Sequence, residues 1–90
     1  MVMRTMFRVH TTGNVEGFPV NAAFTCPYWK TIDYLKERIV CHTDGAVERA
    51  DFWIEVEYEG EWWHAPNWTY LWDAFPDGFT GARARIMTRE

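Results

Sequence analysis

Thiols, imidazoles and carboxylates are the groups in this chain that could do chemistry, and their spacing decides what each can do. His10, Cys26, Cys41, His42 and His64 could all ligate a metal ion. No pair of them has the short loop spacing of a structural zinc site, and adjacent Cys41 and His42 do not fit a chelating loop. The same adjacency argues against Cys41 as a nucleophile served by His42, because neighbours on a helix point about 100° apart. Glu55, Glu57 and Glu59 alternate and could work as paired carboxylates, but a solvated strand face carrying an acid ladder has the same spacing. There is no glycine-rich phosphate loop. These residues point to no catalytic group, no metal site and no cofactor.

What the chain has in quantity is aromatic surface. Five of its six tryptophans fall between positions 53 and 72. A 90-residue chain has little interior in which to hide them, since a domain of that size buries only about 60–65% of its unfolded surface. Trp is large, often only partly buried, and enriched where proteins grip one another. Trp62 and Trp63 are neighbours in a strand-like stretch, so they point to opposite faces; one is expected inside and the other outside. Trp68 and Trp72 are expected on one side of a helical turn, with Leu71 on the other. Part of this aromatic group could instead cap the open end of a small core.

The totals fit one globular domain over 1–90, with 48% hydrophobic and 24% charged residues. A net charge of −4 argues against a nucleic-acid binder that works by neutralising phosphates. The signs are unevenly spread. Eight acids and one base, Arg49, lie between Glu48 and Asp77, whereas Arg4 and Arg8 stand near the start and Arg83, Arg85 and Arg89 near the end. Cys26 and Cys41 read as free intracellular thiols. Arg4 and Arg8 break any signal-peptide pattern, and no apolar run approaches the ~20 residues of a membrane span. A cytoplasmic protein with no membrane partner is expected.

The elements that must position these residues follow from periodicity. Residues 3–10 alternate, with Thr5, Phe7 and Val9 facing a core and Arg4, Arg8 and His10 facing water. Thr11-Thr12-Gly13-Asn14 supplies a turn. Phe18, Val20, Ala22 and Phe24 line one side of a second strand, which Pro19 assigns to a sheet edge. Thr31 is an N-cap for a helix in which Ile32, Leu35, Ile39 and Val40 face inward and Lys36, Glu37 and Arg38 face water, and Asp44-Gly45 ends it. Phe52, Ile54, Val56 and Tyr58 alternate in a third strand, and Glu59-Gly60-Glu61 reverses it into a fourth at Trp62 to Ala65. A short helical turn or ordered loop over 68–75 then leads to a last strand in which Ala82, Ala84 and Ile86 alternate with Arg83 and Arg85.

That order, ββαββ plus a short helical turn and then β, predicts a two-layer α+β domain with a five-stranded mixed sheet on one helix. It resembles the ubiquitin-like β-grasp domains over nearly the whole chain. The resemblance implies that the last strand lies between the first and the third. Arg83 and Arg85 would then face Glu55 and Glu57 on one side and Arg4 and Arg8 on the other, which would absorb part of the charge split. The abrupt finish at Met87-Thr88-Arg89-Glu90 lacks the Gly-Gly tail of conjugatable modifiers and looks like that of a module excised from a longer protein.

Phe24-Thr25-Cys26-Pro27 running into Thr31-Ile32-Asp33-Tyr34-Leu35, together with the acidic hairpin from Glu55 to Trp62, is similar to the N-terminal domain of the kinetoplastid flagellar-pocket collar scaffold. That resemblance implies the head of a coiled-coil cytoskeletal protein at the flagellar base, a structural protein that docks other proteins. A looser similarity is to Phox/Bem-type head-to-tail domains, with Arg4 or Arg8 as the base and Glu57, Glu59, Glu61 and Asp73 as the acids. The compact Asp-Gly-Asp core of that motif is missing.

The reading is therefore a monomeric, non-catalytic scaffold module that binds a protein segment or helix. Trp53, Trp62, Trp63, Trp68, Tyr70 and Trp72 would supply the buried area. Arg83 and Arg85 would orient an acidic segment. Its rivals are charge-paired self-assembly and a carbohydrate-binding module that stacks sugars on exposed indoles.

Overall fold

A computed structural model describes residues 5–89. It has strands β1 (Met6–Val15), β2 (Phe18–Pro27), β3 (Trp53–Tyr58), β4 (Glu61–Ala65) and β5 (Ala82–Met87), with helix α1 (Ile32–His42) after β2 and a one-turn helix α2 (Leu71–Ala74) before β5. The strands form one sheet in the order β2-β1-β5-β3-β4, with β5 parallel to β1 and antiparallel to β3. The last strand thus lies between the first and the third, as the β-grasp resemblance implies.

Alternation sets which face each strand residue occupies. Phe7, Val9, Val20, Phe24, Cys26, Ile54, Val56, Ala82, Ala84 and Ile86 pack with Ile32, Leu35 and Ile39 of α1 in a single core. The two hairpins have the same local cause. Each turns on a Glu-Gly pair with both residues at positive φ, Glu16-Gly17 and Glu59-Gly60, the backbone that matches the twist of tight two-residue turns.

The first hairpin therefore turns later than the sequence suggests. Thr11-Thr12-Gly13-Asn14 is strand, not turn. Gly13 is needed for a close approach: a Cβ there would stand 2.7 Å from the Ile86 Cβ on the neighbouring strand. Phe18, expected inside, begins β2 at the turn and is exposed. Tyr58 is likewise exposed at the end of β3. Arg4, expected on the wet face of β1, lies outside the described residues.

Lys36 also departs from its expected place on the wet side of α1. It is only 4% exposed, donates from Nζ to Asn67 Oδ1 at 3.2 Å, and stands 5.2 Å from the centre of the Phe52 ring. Burial lowers its pKa, partly offset by Asp33. Helical periodicity alone cannot see this, because the long aliphatic stem lets the charged end reach a partner on a later loop. Among the described residues, no helix is long and apolar enough to cross a membrane.

Candidate functional site

Thr31 occupies the N-cap of α1 in an extended conformation, yet its hydroxyl caps nothing. The first helical N–H groups are satisfied by a distant loop instead. Ile32 donates to the Thr69 carbonyl at 2.9 Å, and Asp33 donates to the Asn67 carbonyl at 3.1 Å. The same loop donates back, Leu71 N–H to the Lys30 carbonyl at 2.8 Å and Trp72 N–H to the Tyr28 carbonyl at 3.2 Å. Residues 67–72 are thereby fastened along residues 28–33, and two aromatic-rich segments far apart in sequence become neighbours.

The result is a continuous aromatic surface. Tyr70 and Trp72 stack with ring centres 4.5 Å apart and planes 12° apart. Trp72 lies 5.8 Å from Tyr28, which meets Trp29 edge-on at 5.4 Å and Phe79 at 6.0 Å. Phe79 in turn meets the buried Phe7 ring at 4.7 Å, anchoring the surface to the core. Gly78 makes that contact possible: a Cβ there would fall 2.5 Å from Phe7 ring atoms. Tyr28 is half-buried at the centre, while Trp29, Tyr70, Trp72 and Phe79 each stay more than a third exposed. Their best partners are one another, in the tilted, edge-on and stacked arrangements rings prefer.

The eight site residues expected from sequence do not form one patch. Tyr70 and Trp72 belong to the aromatic surface just described. Trp53, Trp62, Arg83 and Arg85 lie on the open sheet face, away from α1, and are largely engaged there. Arg85 donates to Glu55 at 2.7 and 2.8 Å, and its guanidinium covers Trp62 at 4.5 Å from the ring centre. Arg83 reaches Glu57 at 3.2 Å, and the Trp53 ring lies 6.5 Å from His64. The charge split in the sequence is thus partly spent between neighbouring strands, as the topology implies.

Trp63 and Trp68 stand apart. Trp63 is on the helix side of β4 but is 53% exposed, on a strand at the edge of the sheet. It borders an apolar groove of about 360 Å³ with Val56, Tyr58, Pro66 and Ala74. Neither Trp62 nor Trp63 is core, contrary to the expected one-in, one-out pair. Trp68 is 77% exposed in the turn closed by Thr69 N–H on the Pro66 carbonyl, before α2 begins. A shared helical side with Trp72 does not exist.

Sequence reading missed Tyr28, Trp29 and Phe79. The available signal was a pair of adjacent aromatics between a strand-ending Pro27 and the helix start at Thr31, where neither periodicity assigns a ring to the core.

The potential chemistry of the thiols and acids is quiet. Cys26 and Cys41 are both free; burial pushes the Cys26 thiol up to about 11, with Arg38 opposing. Among the described residues, no three His, Cys, Asp or Glu side chains gather where a metal could bind.

The solved structures with this architecture span almost the entire chain. The C-terminal ubiquitin-like domain of human 2′-5′-oligoadenylate synthetase-like protein is similar over 100% of this chain and 91% of its own, at 12% identity and a TM-score of 0.66. The chain has a ubiquitin-like fold. An Arabidopsis thaliana protein solved by NMR is similar over 99% of this chain and 93% of its own, at 9% identity and a TM-score of 0.65. No protein-family model and no curated protein matches the sequence. Within the ubiquitin-like fold, the aromatic surface is built from the strand-to-helix connection after β2 and the loops that flank α2.

Proposed function

We propose that this ubiquitin-like domain is a non-catalytic protein-interaction module that docks a segment of another protein on the surface of Tyr28, Trp29, Tyr70, Trp72 and Phe79. The observation that carries the proposal is the exposure of four large rings, stacked on one another or joined through the half-buried Tyr28, beside backbone held by reciprocal hydrogen bonds. A rigid ring surface loses little side-chain entropy on binding, and aromatic anchors dominate binding energy in such patches. Trp53, Trp62 and Arg85 act mainly as structural partners of the sheet, while Arg83 borders the docking surface.

Peptides selected from a displayed library of random dodecapeptides on the folded domain test the reading. Their affinity should collapse with Trp72→Ala and hold with Trp62→Ala; the reverse pattern, or indole fluorescence that responds to oligosaccharides and to no peptide, contradicts it. Assembly of the domain that is abolished by Arg8→Glu or Glu59→Arg singly, and regained on mixing the two, would point instead to head-to-tail pairing.

As the setting, we propose the N-terminal module of a cytoskeletal scaffold, on the resemblance of Phe24–Pro27, Thr31–Leu35 and the acidic hairpin to the flagellar-pocket collar protein. Fluorescent tagging of the full-length protein tests this: a focus at the flagellar base supports it and a diffuse cytoplasmic signal contradicts it.

A further inference from the structure

Next to the aromatic surface, the open sheet face holds a groove of about 670 Å³ between β1, β5 and the loop 78–81. Its charged or titratable lining is Arg8, His10 and Arg83, without a carboxylate, in a chain whose net charge is −4. Two apolar side chains, Met6 and Phe79, form one end of it, and Phe79 also belongs to the aromatic surface.

The cations of this groove are less engaged than Arg49 and Arg85. Arg49 is held by Asp33 and Glu37, and Arg85 by Glu55. Arg83 has a single 3.2 Å contact with Glu57 and is 65% exposed. Arg8 is exposed and makes no ion pair among the described residues. Both β1 and β5 are interior strands with neighbours on each side, so an occupant cannot add as a further strand and must be read by side chains.

We infer that this groove receives the acidic stretch of the docked segment, whose apolar residue lies against Phe79; the inference rests on the docking reading above. The register makes it specific. His10 is paired with Arg83 across the parallel ladder, and Arg8 is two residues before His10 on the same strand face. Alternate strand residues are about 6.6 Å apart, the repeat of an extended peptide that presents acids at every second position. The occupant is therefore an extended peptide with a bulky apolar residue, then acids at alternate positions from it.

The dodecapeptide selection supplies the test, with the Arg8→Gln/Arg83→Gln double variant as its probe. Both side chains are exposed, so near-ultraviolet circular dichroism should be unchanged. Selected peptides should carry the apolar-x-acid-x-acid spacing in one chain direction. They should bind the double variant about tenfold or more weakly, through loss of charge-assisted hydrogen bonds, and lose affinity as salt is raised. Peptides with an apolar anchor, no acidic enrichment and equal affinity for the double variant would overturn this inference while leaving aromatic docking intact. A selection with no binder, or with binders indifferent to Trp72→Ala, would overturn both.

Discussion

The open face of the sheet and the aromatic surface beside it hold similar residue types and use them oppositely. On the sheet face, Trp62 lies under Arg85, Arg85 is held by Glu55, and Arg83 reaches Glu57. Trp62, Arg85 and Arg83 are each answered there by a neighbouring strand. On the other surface, Trp29, Tyr70, Trp72 and Phe79 touch mainly other rings and keep their outer faces in water. The difference lies in the backbone. A strand delivers cross-strand partners at fixed spacing, whereas the loops around residues 28–30 and 67–72 fasten to each other through main-chain hydrogen bonds and leave Trp29, Tyr70 and Trp72 partly in water.

The contrast can be broken most strongly at Trp72. Trp72→Ala should weaken binding of a selected peptide by about 2 kcal/mol or more, as for an interface anchor, while shifting folding stability little; isothermal calorimetry with parallel thermal melts reads both. Gly78→Ala attacks the foundation of the same surface. The added methyl meets the Phe7 ring, and overpacking of this kind costs about 1–3 kcal/mol, to be read in urea unfolding.

Trp62→Ala should show the reverse of Trp72→Ala: a loss of about 1 kcal/mol in stability from the removed cation–π contact and its packing, with peptide affinity retained. Smallest is Glu57→Gln. Its exposed pair with Arg83 contributes about 0–1 kcal/mol, so stability in a urea titration should barely move. Freed from Glu57, Arg83 should bind an acidic peptide slightly tighter; a weaker complex would count against the basic groove.

Much of the fold was legible in the sequence because alternation and helical period report burial directly. Phe7, Val9, Ile54, Val56, Ala84 and Ile86 fall inside as the strand pattern requires, and Ile32, Leu35 and Ile39 as the helix pattern requires. The first hairpin was misread at Gly13, since a glycine that opens a turn and one that lets two strands approach look alike without the neighbouring chain. Lys36 was misread because its partner Asn67 is remote in sequence.

The candidate site was half legible. Aromatic density between 53 and 72 took in Tyr70 and Trp72, which lie on the aromatic surface, but it also gathered Trp53 and Trp62, which strand pairing engages. It overlooked Tyr28 and Trp29, which a reciprocal set of loop hydrogen bonds brings alongside. Composition reports how many rings there are; only the fold decides which have other work.

The most direct measurement follows the six indole N–H resonances by NMR, first with a soluble paramagnetic agent and then with a selected peptide. Before binding, Trp29, Trp63, Trp68 and Trp72 should be broadened strongly and Trp53 and Trp62 weakly. Bound peptide should shield and shift Trp29 and Trp72 and leave Trp53 and Trp62 where they were. Protection and shifts confined to Trp53 and Trp62 would place docking on the open sheet face and contradict the account.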